Sequence, residues 1–343
     1  MCKFENKEKI TACGKGGRLG ILEMTVGRIG AVLLLLLVAF QVPASQAESA
    51  GAAPQPVPSS RLQGVLDRIV TRHLDKGNKR LTSDQVHLAV IDLADRARPA
   101  VAHFNGDKGF YPSSVIKMIY MGYVYYKAGK GELSITPIVH RKLYQMIHPS
   151  SNLATSWIVD LWSDTSSGGL VSAEAYKEFA FKRNACNRWL RSLGIKDITA
   201  CQKTWSSPIP PGEKQFLRDG RLSGGFTNRN SLTALAGARF LQLIAQDCLV
   251  DRVSCLAMRR LMIRDVKKQA YQRKRIAGGA PPGSTVYSKT GTTSDTFHDA
   301  GIVKLKGGDT FVLGVFITRR GYRGTFIRDV ASDLCAHFLG QAH

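Results

Sequence analysis

Strand-forming segments stand near the two ends of this chain, and helix-forming segments fill the stretch between them. Val86–Leu93 and Val101–Phe104 are the first apolar, β-rich runs. Thr285–Thr290, Asp299–Lys304 and Thr310–Thr318 are the last, with Gly307-Gly308-Asp309 suited to a hairpin turn between the final two. Between them, Ser114–Lys127, Asn152–Trp162, Glu174–Leu193 and Ser231–Gln246 carry apolar residues at helical spacing. Leu62, Val65, Leu66, Ile69, Val70 and Leu74 line one face of an opening helix, and a closing amphipathic helix runs from about Gly324 to Leu339. Short connections favour one arrangement. An α+β fold is expected, with an antiparallel sheet built from N- and C-terminal strands, flanked by the terminal helices, and a central helical lobe. A Pro- and Gly-rich stretch from Trp205 to Thr227 is expected to be a long loop, of a length that is usually functional or disordered.

That domain is expected over residues 61–343, because the chain before it has a different character. Ile29–Phe40 is an apolar run too short for a comfortable membrane span, preceded by Arg28 and followed by Ser45-Gln46-Ala47. A basic flank, a short apolar centre and small residues describe a signal peptide over 1–47, cut after Ala47. The alternative is a retained anchor, and Met24 offers an alternative start. Residues 48–60 are small, polar and Pro-rich and read as a flexible linker. Export to the periplasm or cell exterior would permit disulfides. Five cysteines follow residue 47, and Cys186–Cys201 and Cys248–Cys255 are the expected pairs, with Cys335 a buried apolar residue. The formal charge of +22 is compatible with attraction to anionic cell-wall polymer, membrane surface or nucleic acid. The basic residues are dispersed and no nucleic-acid motif accompanies them, so a solvated surface is the usual outcome, an electrostatic association with anionic cell wall stays open, and nucleic acid is not expected. The eight histidines show no metal-ligand spacing and no Cys-x-x-Cys or phosphate-binding glycine loop occurs; neither metal nor cofactor is expected. A monomer is expected.

Three short patterns carry chemistry. In Ser114-Val115-Ile116-Lys117 a hydroxyl and an amine lie three residues apart at a helix start, within reach of each other. A serine needs a base to become a nucleophile, and lysine serves once burial among Val115, Ile116, Met118 and Ile119 lowers its pKa. In Ser150-Ser151-Asn152, Ser150 can relay a proton to a leaving group, and Asn152 can hydrogen-bond both the lysine and a substrate amide. In Lys289-Thr290-Gly291, on a strand, Lys289 can bind a carboxylate and depress the pKa of Lys117. Thr290 adds a hydroxyl, and Gly291 lets a substrate lie along the strand edge. The N–H groups of Ser114 and Thr292 would together receive an oxyanion. Taken singly, each pattern also describes a helix cap or a surface lysine; the three in this order and context are far more specific. His148 and Asp299 lie close in sequence to these patterns and read as structural residues.

From Arg61 onward the chain resembles the class A β-lactamase branch of the penicillin-recognising serine enzymes. Phe110-Tyr111-Pro112-Ser113-Ser114-Val115-Ile116-Lys117 resembles its nucleophile segment, Asn230-Ser231-Leu232-Thr233-Ala234-Leu235 the segment after its omega loop, and His298-Asp299-Ala300-Gly301 the start of its last strand pair. The resemblance implies an acyl-enzyme on Ser114, with Lys117 and Ser150 handling protons, and a β-lactam or D-Ala-D-Ala-type peptide as substrate. Two departures stand out. The stretch from Ser114 to Ser150 is short, which would leave the cleft open on one rim. The Glu-x-x-Leu-Asn whose glutamate activates the deacylating water in class A enzymes is missing. Glu213 is the nearest candidate for that base, whereas counting from Leu193-Gly194 puts Trp205 or Ser206 at the position. Three functions stay open: a β-lactamase, a D-alanyl peptidase or transpeptidase-like enzyme, and a binding protein that keeps the cleft without turnover.

Overall fold

The structure is a computed structural model that describes residues 53–74, 81–166, 168–205, 208–218 and 227–340. The leader expected over 1–47 lies outside the described residues.

The sheet carries the site. Its strands are β1 (Val57–Pro58), β2 (Val86–Asp92), β3 (Ala100–Phe104), β6 (Thr285–Thr292), β7 (Phe297–Lys304) and β8 (Thr310–Ile317), in the spatial order β1-β3-β2-β8-β7-β6. All pairings are antiparallel except that of β1 with β3. Both faces of the central strands are covered, which is why β2 and β8 read as continuous apolar runs rather than alternating ones. Leu88 and Val90 of β2 join Leu313 and Val315 of β8 on one face, against the terminal helices α1 (Ser60–Leu74) and α11 (Phe326–Phe338). Ala89 and Ile91 of β2 join Val312 and Phe316 of β8 on the side of the helical lobe. That lobe comprises α2 (Lys117–Gly129), α3 (Pro137–Ile147), α4 (Asn152–Ser163), α5 (Ala173–Arg183), α6 (Ala185–Ser192), α7 (Pro211–Arg218), α8 (Ala234–Ala245) and α9 (Arg252–Met262). A single-turn α10 (Ile276–Gly279) precedes β6, and a small pair of strands, β4 (Ile198–Thr199) and β5 (Ser231–Leu232), stands apart.

Caps set several of these boundaries. Ser151, Ser172, Thr233 and Asp251 accept backbone N–H bonds from Ala154, Ala175, Ala236 and Ser254 at the starts of α4, α5, α8 and α9. The Thr233 cap moves the start of α8 three residues past Ser231. The single helix expected over Glu174–Leu193 is broken at Asn184, whose amide bonds to Ala180 O at 2.9 Å and reaches Asn228 at 3.2 Å. The loop expected from Trp205 to Thr227 contains α7. Helices α3 and α9 were not anticipated.

Two further expectations are corrected. The second half of the 48–60 linker is built into the body. Val57 and Pro58 pair with β3, while Arg239 donates to the carbonyls of Ala53 and Pro54, both at 2.7 Å. The disulfides are also absent from the described residues: Cys186, Cys201, Cys248, Cys255 and Cys335 are all free thiols. Cys201 Sγ faces Thr227 O at 3.7 Å and Cys248 Sγ faces Gln246 O at 3.2 Å, so each points at a backbone carbonyl rather than at the nearest sulfur in sequence.

Candidate active site

Ser114 lies in a 3₁₀ turn, Ser113–Ile116, that runs directly into α2, and its side chain is half-buried. Three anchors hold this turn against the sheet. Ser113, at φ +52°, places its hydroxyl 2.5 Å from that of Thr296. His298 on β7 accepts Ile317 N–H at Nδ1 (3.1 Å), which leaves Nε2 to donate to Tyr111 O (3.1 Å). Burial holds this imidazole neutral, its pKa pushed down to about 3. The third anchor is Gly291: a Cβ there would stand 2.8 Å from Pro112 O and 3.2 Å from Ser114 N. Only a hydrogen fits between β6 and the nucleophile turn.

Lys117, one turn along, is fully buried. Its Nζ donates to Ser150 O (2.6 Å), Ser150 Oγ (3.2 Å) and Asn152 Oδ1 (2.8 Å). Burial pushes its pKa down to about 7, so a neutral amine is well populated at neutral pH. Across the cleft Lys289, also fully buried, donates to Ser150 Oγ at 2.9 Å and Thr290 O at 2.8 Å. The Ser150 hydroxyl oxygen thus receives both lysines, and its own hydrogen remains available to a third partner. Burial first, then the charges of Arg264 and Lys117, push Lys289 well below the ordinary lysine range, with Arg275 adding to them against an opposing pull from Asp299. Ser150 adopts φ +63°, a left-handed conformation that costs a non-glycine residue about 1–2 kcal/mol and persists only where its surroundings hold it.

Strand β6 is the open edge of the sheet. Thr293 N–H bonds to Thr296 O, and the antiparallel alternation then turns the backbone groups of residues 290 and 292 away from β7, toward the cleft. The Thr292 amide and the Ser114 amide therefore border the same space, with Gly291 between them. Arg275 donates to Thr292 Oγ1 at 2.7 Å and lies over the Phe297 ring at 3.4 Å. Asp299 is buried behind β6 and accepts Ile276 N–H at 3.0 Å, consistent with a structural part.

The opposite wall is the loop that ends at Trp205. Asn152, whose Oδ1 is taken by Lys117, donates its amide to Trp205 O. Of the two positions reached by counting from Leu193-Gly194, Trp205 is thus brought up to Asn152, while Ser206 lies outside the described residues. Glu213 is elsewhere. It sits in the first turn of α7, fully buried, and pairs with Arg183, which also donates to Cys201 O at 2.8 and 3.1 Å and lies over the Phe216 ring. Among the described residues none of its bonds reaches Lys117, Ser150 or Asn152. The expected base is instead the ion partner that the buried Arg183 requires. Asp160, the other acid near this loop, is taken by Lys203 at 2.6 Å.

The structure thus brings together Ser114, Lys117, Ser150, Asn152, Lys289, Thr290, Gly291 and Thr292, and leaves Glu213 out. Arg264, Arg275 and the carbonyl of Trp205 were not foreseen in these places; nothing local distinguishes either arginine among the 48 Lys and Arg of the chain. Among the described residues no cluster of three His, Cys, Asp or Glu could hold a metal ion.

A family model described as "Beta-lactamase enzyme family" matches residues 139–338. Solved structures share the fold. A β-lactamase from Sphaerobacter thermophilus is 21% identical, with 80% of this chain and 98% of that one covered and a TM-score of 0.56. PBP-A is 18% identical (84% and 99% covered, TM-score 0.58), and a β-lactamase from Chitinophaga pinensis is 17% identical (82% and 100%, 0.56). A single-substitution mutant of PBP-A was solved as an acyl-enzyme complex with penicillin G. No protein of curated function matches the chain.

Proposed function

The chain belongs to the beta-lactamase enzyme family, and on that premise we propose that it is a serine acyl-transfer enzyme that forms an ester with β-lactams on Ser114 and releases it slowly. In this reading neutral Lys117 takes the Ser114 proton as the hydroxyl attacks the lactam carbonyl. The developing oxyanion is received by the Ser114 and Thr292 amides. Ser150 passes its proton to the lactam nitrogen as the ring C–N bond breaks, and regains one from Lys117. The substrate carboxylate lies beside Lys289 and Thr290, and its amide beside Asn152. Slow release follows from one observation, which carries the proposal: the wall facing Lys117 presents Trp205 O, and among the described residues of that wall Glu213 and Asp160 are each held in an ion pair. Intact-mass spectrometry over time after mixing with a penicillin tests it. We expect an adduct on Ser114 that outlasts its formation by orders of magnitude, and none on Ser114→Ala. Equal labelling of Ser114→Ala overturns the assignment of the nucleophile; fast turnover without an adduct overturns slow release.

The same observation favours a cell-wall D-alanyl peptide as the natural substrate, because an amine acceptor resolves an acyl-enzyme without a water-activating carboxylate. Release of D-alanine from a D-Ala-D-Ala peptide tests that arm. Such a role lies outside the cytoplasm, in keeping with the Arg28, apolar-run and Ala47 sequence. Protein from its native host should then begin near Glu48 on N-terminal sequencing; residues 1–47 found intact on soluble cytoplasmic protein would exclude it.

A further inference from the structure

Arg264 stands two residues after the end of α9 and is almost fully buried, yet no carboxylate pairs with it among the described residues. A buried guanidinium without a counter-ion is costly unless its donors are met. Here they are met by backbone carbonyls from both sides of the cleft. Nε and Nη2 donate to Ser288 O at 2.8 and 2.6 Å, Nη2 also to Ile147 O at 3.1 Å, and Nη1 to His148 O at 3.3 Å. The backbone N–H of Arg264 adds a bond to Val286 O at 2.9 Å.

The places of these carbonyls matter. Ile147 ends α3, so its carbonyl and that of His148 are left without helical partners, at an end of the helix that favours a cation. Two residues beyond His148 stands Ser150 in its left-handed conformation. Ser288 immediately precedes Lys289. One side chain therefore joins the segment before the strained serine to the peptide before the lysine that the serine must meet. The three sit apart in the chain, His148 and Arg264 being 116 positions apart and Arg264 and Ser288 24.

We propose that Arg264 is a positioning residue: its guanidinium holds the Ser150 loop against β6 and so keeps the Ser150 hydroxyl between Lys117 and Lys289. The proposal rests on the reading that Ser150 serves acylation of Ser114. A misplacement of about 1 Å in such a group costs about 10²-fold in rate. Acylation by a penicillin, followed by quenched-flow mass spectrometry, should slow by about that factor in Arg264→Met. Arg264→Lys, which keeps the charge but meets fewer carbonyls, should recover part of the loss. The deciding measurement repeats both variants in a Ser150→Ala background, where no hydroxyl remains to be misplaced, and the Arg264 substitutions should there cost little. The same loss in both backgrounds, or a wild-type rate in Arg264→Met, overturns the clamp. If circular dichroism shows Arg264→Met unfolded, Arg264→Lys decides through the same cycle. A wild-type protein that takes no adduct overturns the acyl-enzyme reading itself; one that does, beside an unimpaired Arg264 variant, overturns only the clamp.

Discussion

The two walls of the cleft handle buried charge in opposite ways. On the β6 side, Lys117, Lys289 and Arg264 are buried with hydroxyls, an amide and backbone carbonyls as their partners, and none of the three has an ion pair among the described residues. On the loop side each buried cation is matched: Arg183 with Glu213, and Lys203 with Asp160. Amides complete that wall. Asn230 Oδ1 accepts from Tyr120 OH (3.0 Å) and from the N–H groups of Cys201 (3.1 Å) and Gln202 (2.9 Å). Asn228 donates to Phe216 O at 2.8 Å. The two unmatched buried lysines are pushed toward losing their protons and so can do proton transfer, while Arg264 stays charged and holds carbonyls; the matched pairs are fixed and give the loop its shape. The difference bears on the proposed chemistry: the first wall holds the lysines that ester formation would need, and the second, among the described residues, has committed Glu213 and Asp160 to ion pairs.

The contrast can be broken most sharply on the reactive side. Lys117→Ala removes the base, and acylation by a fluorescent penicillin should fall by about 10²–10⁴-fold with far-UV circular dichroism unchanged. A rate close to wild type would move the base elsewhere. A gain on the loop side comes next in size. Trp205→Glu places a carboxylate in the segment that meets Asn152, and decay of the adduct should quicken by about 10²-fold; a lifetime no shorter would mean that the wall blocks water by shape rather than by lack of a base.

The third measurement is a pH profile. Lys117, with its pKa near 7, must be neutral to accept the Ser114 proton, so acylation should be fully developed above that pH and fall about tenfold per unit as pH drops below it. A profile flat from pH 5 to 8 would contradict this. Least affected in chemistry should be Glu213→Gln. Adduct lifetime should not change, because Glu213 takes no part in the site, while the thermal midpoint should drop. Leaving Arg183 buried without its partner costs on the order of 3 kcal/mol. A trapped adduct in Glu213→Gln would return that residue to the mechanism.

What was legible in the sequence follows the same division. Ser114 and Lys117 are joined by local helical spacing, Ser151 caps the helix that begins at Asn152, and Lys289-Thr290-Gly291 stands on a strand whose pattern is plain; these relations span a few residues and survive without a structure. The sheet at the two ends was legible for a similar reason, since long apolar runs can only be central strands or buried helices. Glu213 was misplaced because the facing of a loop carboxylate depends on Arg183, thirty residues earlier. Arg264 was invisible because its partners are carbonyls, which every residue has. Val57–Pro58 was missed because a two-residue edge strand has no periodicity to detect, and prolines suit an edge. The cysteine pairs failed because closeness in sequence says nothing about where a thiol points.

Gly291 has a consequence for how this protein can diversify. A Cβ there would stand 2.8 Å from Pro112 O, so any side chain at this position would push β6 and the nucleophile turn apart. Under the proposed function, variation in substrate preference would enter on either side of it, at the exposed Thr292 on one wall or at Trp205 on the other. Descendants of this sequence could explore new ligands at those two places one substitution at a time, while the strip between them stays closed to selection.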